Sequence, residues 1–199
     1  MANNSQFVSE VENVHFTSDV HFGHKNIIRY CNRPFKDVDD MDEQLIQRWN
    51  SVVKPDDVVW QLGDFTFYRN YDKLCYILRR LNGRKKAVLG NHCETIIDRR
   101  EDLLAEGLFE VIVERARIKV GSQSIVLDHF PGRSWDRSSH GAWQLFGHVH
   151  NDLPPYGKSV DVGVDSTWVT GVAPYRPFSF AEIKRFMDKQ EITEKHHKE

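Results

Sequence analysis

The first half of the chain alternates short apolar runs with segments of helical periodicity. Three runs predict buried strands, and they are VHFTSD (14–19), VVWQLGD (58–64) and KKAVLGNH (85–92). Each precedes a segment whose apolar residues recur every three or four positions. These segments predict helices, and they are DVDDMDEQLIQRWNSVV (37–53), YDKLCYILRRLNG (71–83) and ETIIDRREDLLAEG (94–107). Three strand-then-helix units favour a parallel sheet with right-handed crossovers.

The second half of the chain has a different pattern. FEVIVERARIKVGSQSIVLDHF (109–130) alternates apolar and polar residues and turns at Gly121-Ser122, which predicts a β-hairpin. WQLFGHVH (143–150) and KSVDVGVD (158–165) predict two further strands. PFSFAEIKRFMDKQ (177–190) predicts a last helix, because Ser179 and Glu182 are spaced as a capping box.

Nothing along the chain indicates a repeat or a domain boundary. The 199 residues are enough to bury a sizeable core. We therefore expect a single domain over residues 1–199, with residues 190–199 forming a charged, frayed tail.

Composition narrows the class of protein. A hydrophobic content of 40% and a charged content of 28% are ordinary for a globular protein. A net charge of -2 provides no strong nucleic-acid footprint. The chain has no apolar run long enough to span a membrane and no signal-peptide pattern at its start. Three cysteines at no metal-like spacing favour reduced thiols and a cytoplasmic location.

Candidate chemistry lies where the predicted strands end. Five strands finish in Asp, Asn or His, three of them directly after a glycine. In open α/β sheets ligands bind beyond the carboxyl ends of the strands, where such groups would converge. One polar residue after a strand is usually a turn former, but five coinciding strand ends indicate a site. The candidate metal ligands are Asp19, His21, Asp64, Asn91, His129, His148 and His150.

The number and type of these ligands suggest a particular kind of metal site. Seven ligands are too many for one ion and suit two ions that share a bridging carboxylate. Mixed imidazole and carboxylate donors favour Mn, Fe, Zn, Ni or Co over Mg or Ca. Two divalent ions would make the site positive enough to hold a phosphate.

The order and spacing of the motifs resemble the calcineurin-like metallophosphoesterase superfamily, especially its compact single-domain members in bacteria and phages. The motifs run from residue 19 to residue 150, and they are Asp19-x-His21, Gly63-Asp64, Gly90-Asn91-His92, His129 and Gly147-His148-x-His150. The resemblance implies a mixed α/β fold of two facing β-sheets flanked by helices. Two metal ions, manganese first among the candidates, would lie at one edge.

The resemblance also implies a role for each motif residue. One metal would be bound by Asp19, His21, Asp64 and His150, and the other by Asp64 as a bridge with Asn91, His129 and His148. A hydroxide between the ions would attack phosphorus, and His92 would protonate the leaving alkoxide.

One position departs from the family pattern. The family usually places Asp or Glu after Gly-Asn-His to hold the imidazole, and here that residue is Cys93, followed by Glu94. A thiol is a weak hydrogen-bond partner, so we expect Glu94 to substitute if the chain turns helical there.

Further residues are candidates for contacting the substrate. The arginines could grip a phosphate with two hydrogen bonds each. The four candidates are His24, Arg29, Arg33 and Arg133.

The motif GDFTFYRN lacks the second Asp and the Arg-Gly pair of the superfamily's protein phosphatases. We therefore expect a phosphodiester or small nucleotide as substrate, chosen by loops that include PGRSWDRSSHGAW (131–143) and NDLPPYGK (151–158).

Two other classes of protein fit the sequence less well than a phosphoesterase does. A binding scaffold that kept the fold and lost the chemistry would be expected to lose ligands, whereas this chain keeps all seven and His92. A structural zinc protein is disfavoured because such sites are usually rich in cysteine and four-coordinate.

Overall fold

The computed structural model describes residues 8–10 and 13–193. Residues 194–199 of the predicted tail, with His196 and His197, lie outside the described residues. The described chain forms ten strands: β1 (Val8–Glu10), β2 (Val14–Thr17), β3 (Val58–Leu62), β4 (Arg84–Val88), β5 (Val111–Val113), β6 (Ala116–Val120), β7 (Gln123–Leu127), β8 (Trp143–Phe146), β9 (Ser159–Asp161) and β10 (Phe178–Ser179).

The strands form two five-stranded sheets. The first sheet has the order β10-β2-β3-β4-β5, in which β2 to β5 are parallel and β10 is antiparallel to β2. The second sheet has the order β1-β6-β7-β8-β9, in which β7, β8 and β9 are parallel. The predicted parallel sheet is confirmed, and so is the hairpin, which β6 and β7 form around Gly121. The start of the predicted hairpin segment, which forms β5, is not part of the hairpin. It pairs with β4 in the first sheet.

The helices are α1 (Ile27–Tyr30), α2 (Val38–Val52), α3 (Tyr71–Arg80), α4 (Glu94–Asp98), α5 (Arg100–Ala105) and α6 (Phe180–Met187). The Asp37 side chain caps α2 by accepting from the backbone N–H of Asp40. The prediction of one continuous helix over 94–107 is wrong. Arg99 leaves the helical conformation with φ −115° and ψ 24°, which separates α4 from α5.

Two apolar layers explain why the strands of the first sheet read as nearly continuous apolar runs. One layer lies between the sheets and includes Phe16, Trp60 and Leu145. The other packs the opposite face of the first sheet against the helices and includes Trp49 and Leu78. A sheet covered on both faces favours nearly continuous apolar runs, as in β3 (VVWQL), whereas β4 begins with three basic residues that are exposed or half-buried. The expected fold of two facing sheets flanked by helices is therefore confirmed.

No helix in the described part of the chain has both the length and the apolar character needed to cross a membrane.

The capping box at the start of α6 is present. The Ser179 hydroxyl accepts from the backbone N–H of Glu182, and the Glu182 carboxylate accepts from the backbone N–H of Ser179. Partial burial alone would raise the pKa of Glu182, but hydrogen bonds from Arg176 and Ser179 outweigh it and lower the pKa to about 2.

We expect Ser179→Ala to lower the free energy of unfolding by about 1 kcal/mol, because one helix N–H loses its acceptor.

We also expect the contribution of the Glu182 carboxylate to stability to depend on pH. Since the folded pKa of Glu182 lies below its ordinary value of 4.5, this contribution is fully present above pH 4.5 and is lost as the pH falls towards 2. Urea denaturation of wild type, Ser179→Ala and Glu182→Ala at pH 7 and pH 3 measures both effects. A difference between wild type and Glu182→Ala that does not shrink at pH 3 would contradict the stabilising role of the Glu182 carboxylate.

Candidate metal centre

All seven predicted metal ligands lie at one edge of the sandwich, which we call the metal edge. They follow the carboxyl ends of β2, β3 and β4 in the first sheet and of β7 and β8 in the second. Several contacts join the sheets there, including two hydrogen bonds. His129 Nδ1 donates to the Leu62 carbonyl at 2.8 Å, and the backbone N–H of His148 donates to Asp19 Oδ2 at 2.8 Å.

Left-handed backbone turns direct the side chains over this edge. Positive φ angles between 47° and 74° occur at six non-glycine residues here: Asp19, His21, Asp64, His148, His150 and Asn151. Each such residue costs of order 1–3 kcal/mol and persists only where the surrounding structure holds it. The concentration of this strain at the ends of the strands is typical of functional sites.

The glycines that precede the ligands permit close approach. A Cβ on Gly63 would lie 2.2 Å from His129 Nδ1, and one on Gly147 would lie 2.0 Å from Ser18 Oγ and 2.2 Å from Asp19 Oδ2. No side chain fits at these distances, so glycine is required for the two sheets to meet at the metal edge.

One group of ligand atoms gathers around Asp19, His21 and His150, whose ligand atoms all lie within 4.8 Å of one another. His21 Nε2 lies 3.3 Å from His150 Nε2, and the two nitrogens lie 3.9 Å and 3.8 Å from Asp19 Oδ1. Asp19 Oδ1 is buried and has no hydrogen-bond partner within the described residues. Two imidazole ligands at about 2.1 Å from one ion would lie roughly 3.0–3.4 Å apart, so the 3.3 Å separation fits a shared cation.

A second group gathers around His129. Its Nδ1 proton goes to the Leu62 carbonyl, which can only accept, and burial lowers the pKa of His129. The ring is therefore neutral at neutral pH, and Nε2 carries a lone pair. Nε2 faces Asn91 Oδ1 at 3.0 Å and Asp64 Oδ1 at 3.6 Å. Three electron-pair donors thus point at one another, which is the arrangement that a cation stabilises.

Asp64 lies between the two groups. Its Oδ1 faces His129 and accepts from the backbone N–H of His92 at 2.9 Å. Its Oδ2 lies 3.9 Å from His21 Nε2. The two oxygens of the Asp64 carboxylate therefore face different groups of candidate ligands.

The metal edge concentrates buried negative charge. Burial raises the pKa of Asp19 to about 8, the nearby Asp161 and Asp64 add to this shift, and His150 opposes it. Burial alone would lower the pKa of His150, but its hydrogen bonds to Asp165 and Cys31 and the charge of Asp19 raise it to about 11. Buried carboxylates are costly without a compensating cation, and at this edge either a protonated His150 or a bound cation would supply that charge.

A buried ion pair supports His150 from behind. The Asp165 carboxylate accepts from His150 Nδ1 at 2.8 Å and from Arg33 at 2.8 and 2.9 Å. The Arg33 guanidinium also donates to the backbone carbonyls of Asp19 at 2.7 Å and Val20 at 2.8 Å. A carboxylate behind a metal-binding imidazole fixes its tautomer and ring orientation.

Asp161 supports the loop that carries the histidines. Its Oδ2 accepts from the backbone N–H of Asn151 at 2.8 Å, and its Oδ1 accepts from that of Gly163 at 2.6 Å. The Asn151 side chain in turn accepts from the Thr167 backbone at 2.8 Å. Neither Asp161 nor Asp165 was among the predicted site residues. The available signal was the segment KSVDVGVD (158–165), a further strand that ends in carboxylates.

A pocket of about 640 Å³ opens over the metal edge, and we call it the main pocket. His92 and His24 both line it, as expected for a proton donor and a substrate-facing group. His92 is exposed, and its ring centroid lies 5.0 Å from that of Phe67. His24 stacks on Phe67 at 3.7 Å, and burial lowers its pKa. These positions leave the catalytic and substrate roles as predictions.

The residues after His92 do not hold its imidazole. Cys93 is buried and accepts from the backbone N–H of Gly90 through Sγ at 3.1 Å. The chain does turn helical at Glu94, but Glu94 pairs with Arg69 at 3.2 Å. Within residues 13–193 no side chain forms a hydrogen bond with the His92 ring.

The three candidate arginines are not brought together. Arg33 is buried, and all five of its N–H groups are engaged, with Asp165, two backbone carbonyls and Met41 Sδ. Its predicted phosphate contact is therefore wrong, and it instead pairs with Asp165, the carboxylate behind His150. Arg29 is exposed, and its guanidinium carbon lies 5.3 Å from the ring centroid of Tyr30, a residue of the main pocket. Arg133 lines a neighbouring cleft.

Fold and site together define a two-sheet α/β protein whose histidine and aspartate groups could hold a metal ion. No family model matches the chain. It is 33% identical over 187 residues to Uncharacterized protein MJ1445 of Methanocaldococcus jannaschii, with 90% of this chain and 93% of that protein covered. It is 30% identical to the Gene 66 protein of Mycobacterium phage L5, with 78% and 88% covered. The chain therefore belongs to the family of these archaeal and phage proteins.

A solved structure shares the architecture. AQ665 from Aquifex aeolicus, a protein of unknown function, matches with a TM-score of 0.64 and 25% identity, over 88% of this chain and 99% of that one. An archaeal phosphodiesterase matches with a TM-score of 0.41 and 15% identity, a likeness too low to bear on activity.

We expect Asp165→Asn to weaken Mn²⁺ binding about 10- to 100-fold. A neutral amide cannot compensate the positive charge of Arg33, and it fixes the tautomer of His150 less firmly than a carboxylate does. Isothermal titration calorimetry with Mn²⁺ measures the change. Asp188→Asn, at the exposed end of α6, is the matched control and should bind as wild type does. Equal affinities of Asp165→Asn and wild type would refute the supporting role.

We expect Gly147→Ala to reduce Mn²⁺ affinity at least tenfold, because the added Cβ displaces Ser18 and Asp19. Gly107→Ala is the control. It places alanine at a φ of +66° with no atom within 4 Å, so it tests backbone strain without crowding. If both variants bind Mn²⁺ as wild type does, close approach at Gly147 is not required.

Proposed function

We propose that this protein is a metal-dependent phosphoesterase of the calcineurin-like metallophosphoesterase superfamily. The observation that carries the proposal is the convergence of six oxygen and nitrogen ligands, from five strand ends, on two adjacent groups that share the Asp64 carboxylate. The ring of the seventh candidate, His148, lies beside the second group, with its centroid 5.2 Å from that of His129. A site for one structural ion would not need this many donors, nor an open pocket above them.

The donor set supports two divalent ions, with manganese first and iron, zinc, nickel or cobalt as alternatives. Asp19, His21, Asp64 and His150 would hold one ion, and Asp64, Asn91, His129 and His148 the other. When bound, such ions polarise phosphoryl oxygens, lower the pKa of water to about 7 and stabilise developing negative charge.

The chain's own residues would then complete the reaction. His92 lies in the main pocket and would donate a proton to the leaving oxygen. The stacked rings of His24 and Phe67 would form one wall beside the phosphate. The substrate we propose is a phosphodiester or small nucleotide. The three cysteines are free thiols, which supports the proposal of a cytoplasmic enzyme.

One observation favours the alternative, a binding scaffold with weak or no activity. Neither Cys93 nor Glu94 holds the His92 ring, so the proton donor lacks the partner that usually orients it. A scaffold would bind metal and phosphate and would turn over slowly.

We expect metal-stripped protein to be inactive and Mn²⁺ to restore hydrolysis of bis(p-nitrophenyl) phosphate more than of p-nitrophenyl phosphate. Asn91→Ala should abolish the activity because a metal ligand is lost. His92→Ala should lower kcat about 100-fold or more on a diester whose alkoxide leaving group needs a proton, and much less on bis(p-nitrophenyl) phosphate, whose leaving group needs none, while Mn²⁺ binding is retained.

Arg185→Ala, at an exposed arginine of α6, is the control and should leave the rate unchanged. Silence on both esters with Mn²⁺ demonstrably bound would overturn the enzymatic proposal and favour the scaffold.

A further inference from the structure

Two of the loops expected to choose the substrate lie together beside the metal edge. Segments from 131–143 and 151–158 line a cleft of about 340 Å³, which we call the side cleft. Residues that line it include Pro131, Arg133, Phe146, Leu153, Pro154 and Tyr156. Because Leu145 faces the core between the sheets and side chains alternate along a strand, Phe146 faces the outer side of the second sheet.

The side cleft adjoins the main pocket. Leu153 lines both cavities. Phe146, at the end of β8, directly precedes the Gly147-His148 turn that reaches the metal edge. A molecule whose phosphate lies at the metal edge can therefore extend into the side cleft without leaving the surface.

The walls of the side cleft match a planar, hydrogen-bonding group. Arg133 is exposed, and its guanidinium carbon lies 5.8 Å from the ring centroid of Tyr156. Tyr156 is 42% exposed, so part of its ring is accessible to a ligand. Within the described residues Arg133 forms no ion pair with a carboxylate. Arginine and tyrosine next to proline and leucine favour a nucleobase, which stacks on such planes and accepts hydrogen bonds.

Both walls of the cleft are anchored to one side chain of β8. Gln144 Oε1 accepts from the backbone N–H of Gly132 at 3.1 Å and from the Ser159 hydroxyl at 2.9 Å. Gln144 and Ser159 are buried. The cleft is therefore formed before a ligand arrives, which lowers the entropic cost of binding.

We propose that the side cleft binds the nucleoside of a phosphodiester substrate, with Arg133 and Tyr156 contacting the base. This inference rests on the proposed function, because it places the phosphate at the metal edge. The net charge of -2 favours a small nucleotide over a nucleic-acid polymer.

The kinetic test compares two esters with the same leaving group, in Mn²⁺-loaded protein. They are the p-nitrophenyl ester of thymidine 5′-monophosphate and methyl p-nitrophenyl phosphate. We expect kcat/KM to be at least tenfold higher for the nucleoside ester. Arg133→Ala and Tyr156→Ala should each reduce the ratio of the two kcat/KM values about tenfold. Tyr76→Ala and Arg185→Ala, at an exposed tyrosine and arginine elsewhere, should leave the ratio unchanged.

A binding test separates this inference from the proposed function. Calorimetry with adenosine 5′-monophosphate and with inorganic phosphate should show about tenfold tighter binding of the nucleotide to wild type. That preference should be lost in Arg133→Ala and Tyr156→Ala. Equal affinity for both anions would overturn the proposed role of the side cleft, even if the esters are hydrolysed. A preference for the nucleotide that survives both substitutions would overturn it too. Nucleotide preference without hydrolysis of either ester supports the cleft and refutes the phosphoesterase.

Discussion

The structure depends on how it accommodates negative charge at one edge of two sheets. Four aspartates, Asp19, Asp64, Asp161 and Asp165, are almost inaccessible to solvent there. Burying carboxylates is costly unless hydrogen bonds and opposite charges compensate. Backbone N–H groups of His92, His148, Asn151 and Gly163 supply part of the compensation, and Arg33 supplies a full positive charge. The remaining imidazole nitrogens and carboxylate and amide oxygens face one another at distances that suit a shared cation.

The same carboxylates hold the loops in strained conformations. The backbone N–H of His148 donates to Asp19, and that of Asn151 donates to Asp161, and both residues have positive φ. Acceptors on the neighbouring sheet or strand thus stabilise the turns that place the histidines. Strain maintained in this way preorganises a site, so that little free energy is needed to order the ligands when an ion binds.

The fold was largely predictable because most elements have a clear local pattern. The strands β2, β3, β4 and β8, the β6–β7 hairpin and the helices α2, α3 and α6 follow from periodicity and from caps such as Ser179. Two interpretations were wrong, and the second was wrong for a tertiary reason. The segment 94–107 breaks at Arg99, and β5 joins β4 because backbone pairing with a distant strand outweighs its proximity to the hairpin.

The sequence by itself determined the set of candidate ligands, because strand ends and the glycines before them are local features and their side chains carry their own chemistry. Only the tertiary structure decided what supports them. Arg33 and Asp165 lie 132 positions apart, so their ion pair leaves no local pattern, and Arg33 read as a candidate for phosphate. The side cleft likewise arises where two loops meet across a strand. Contacts between distant segments depend on packing, and packing is not encoded in the spacing of residues along the chain.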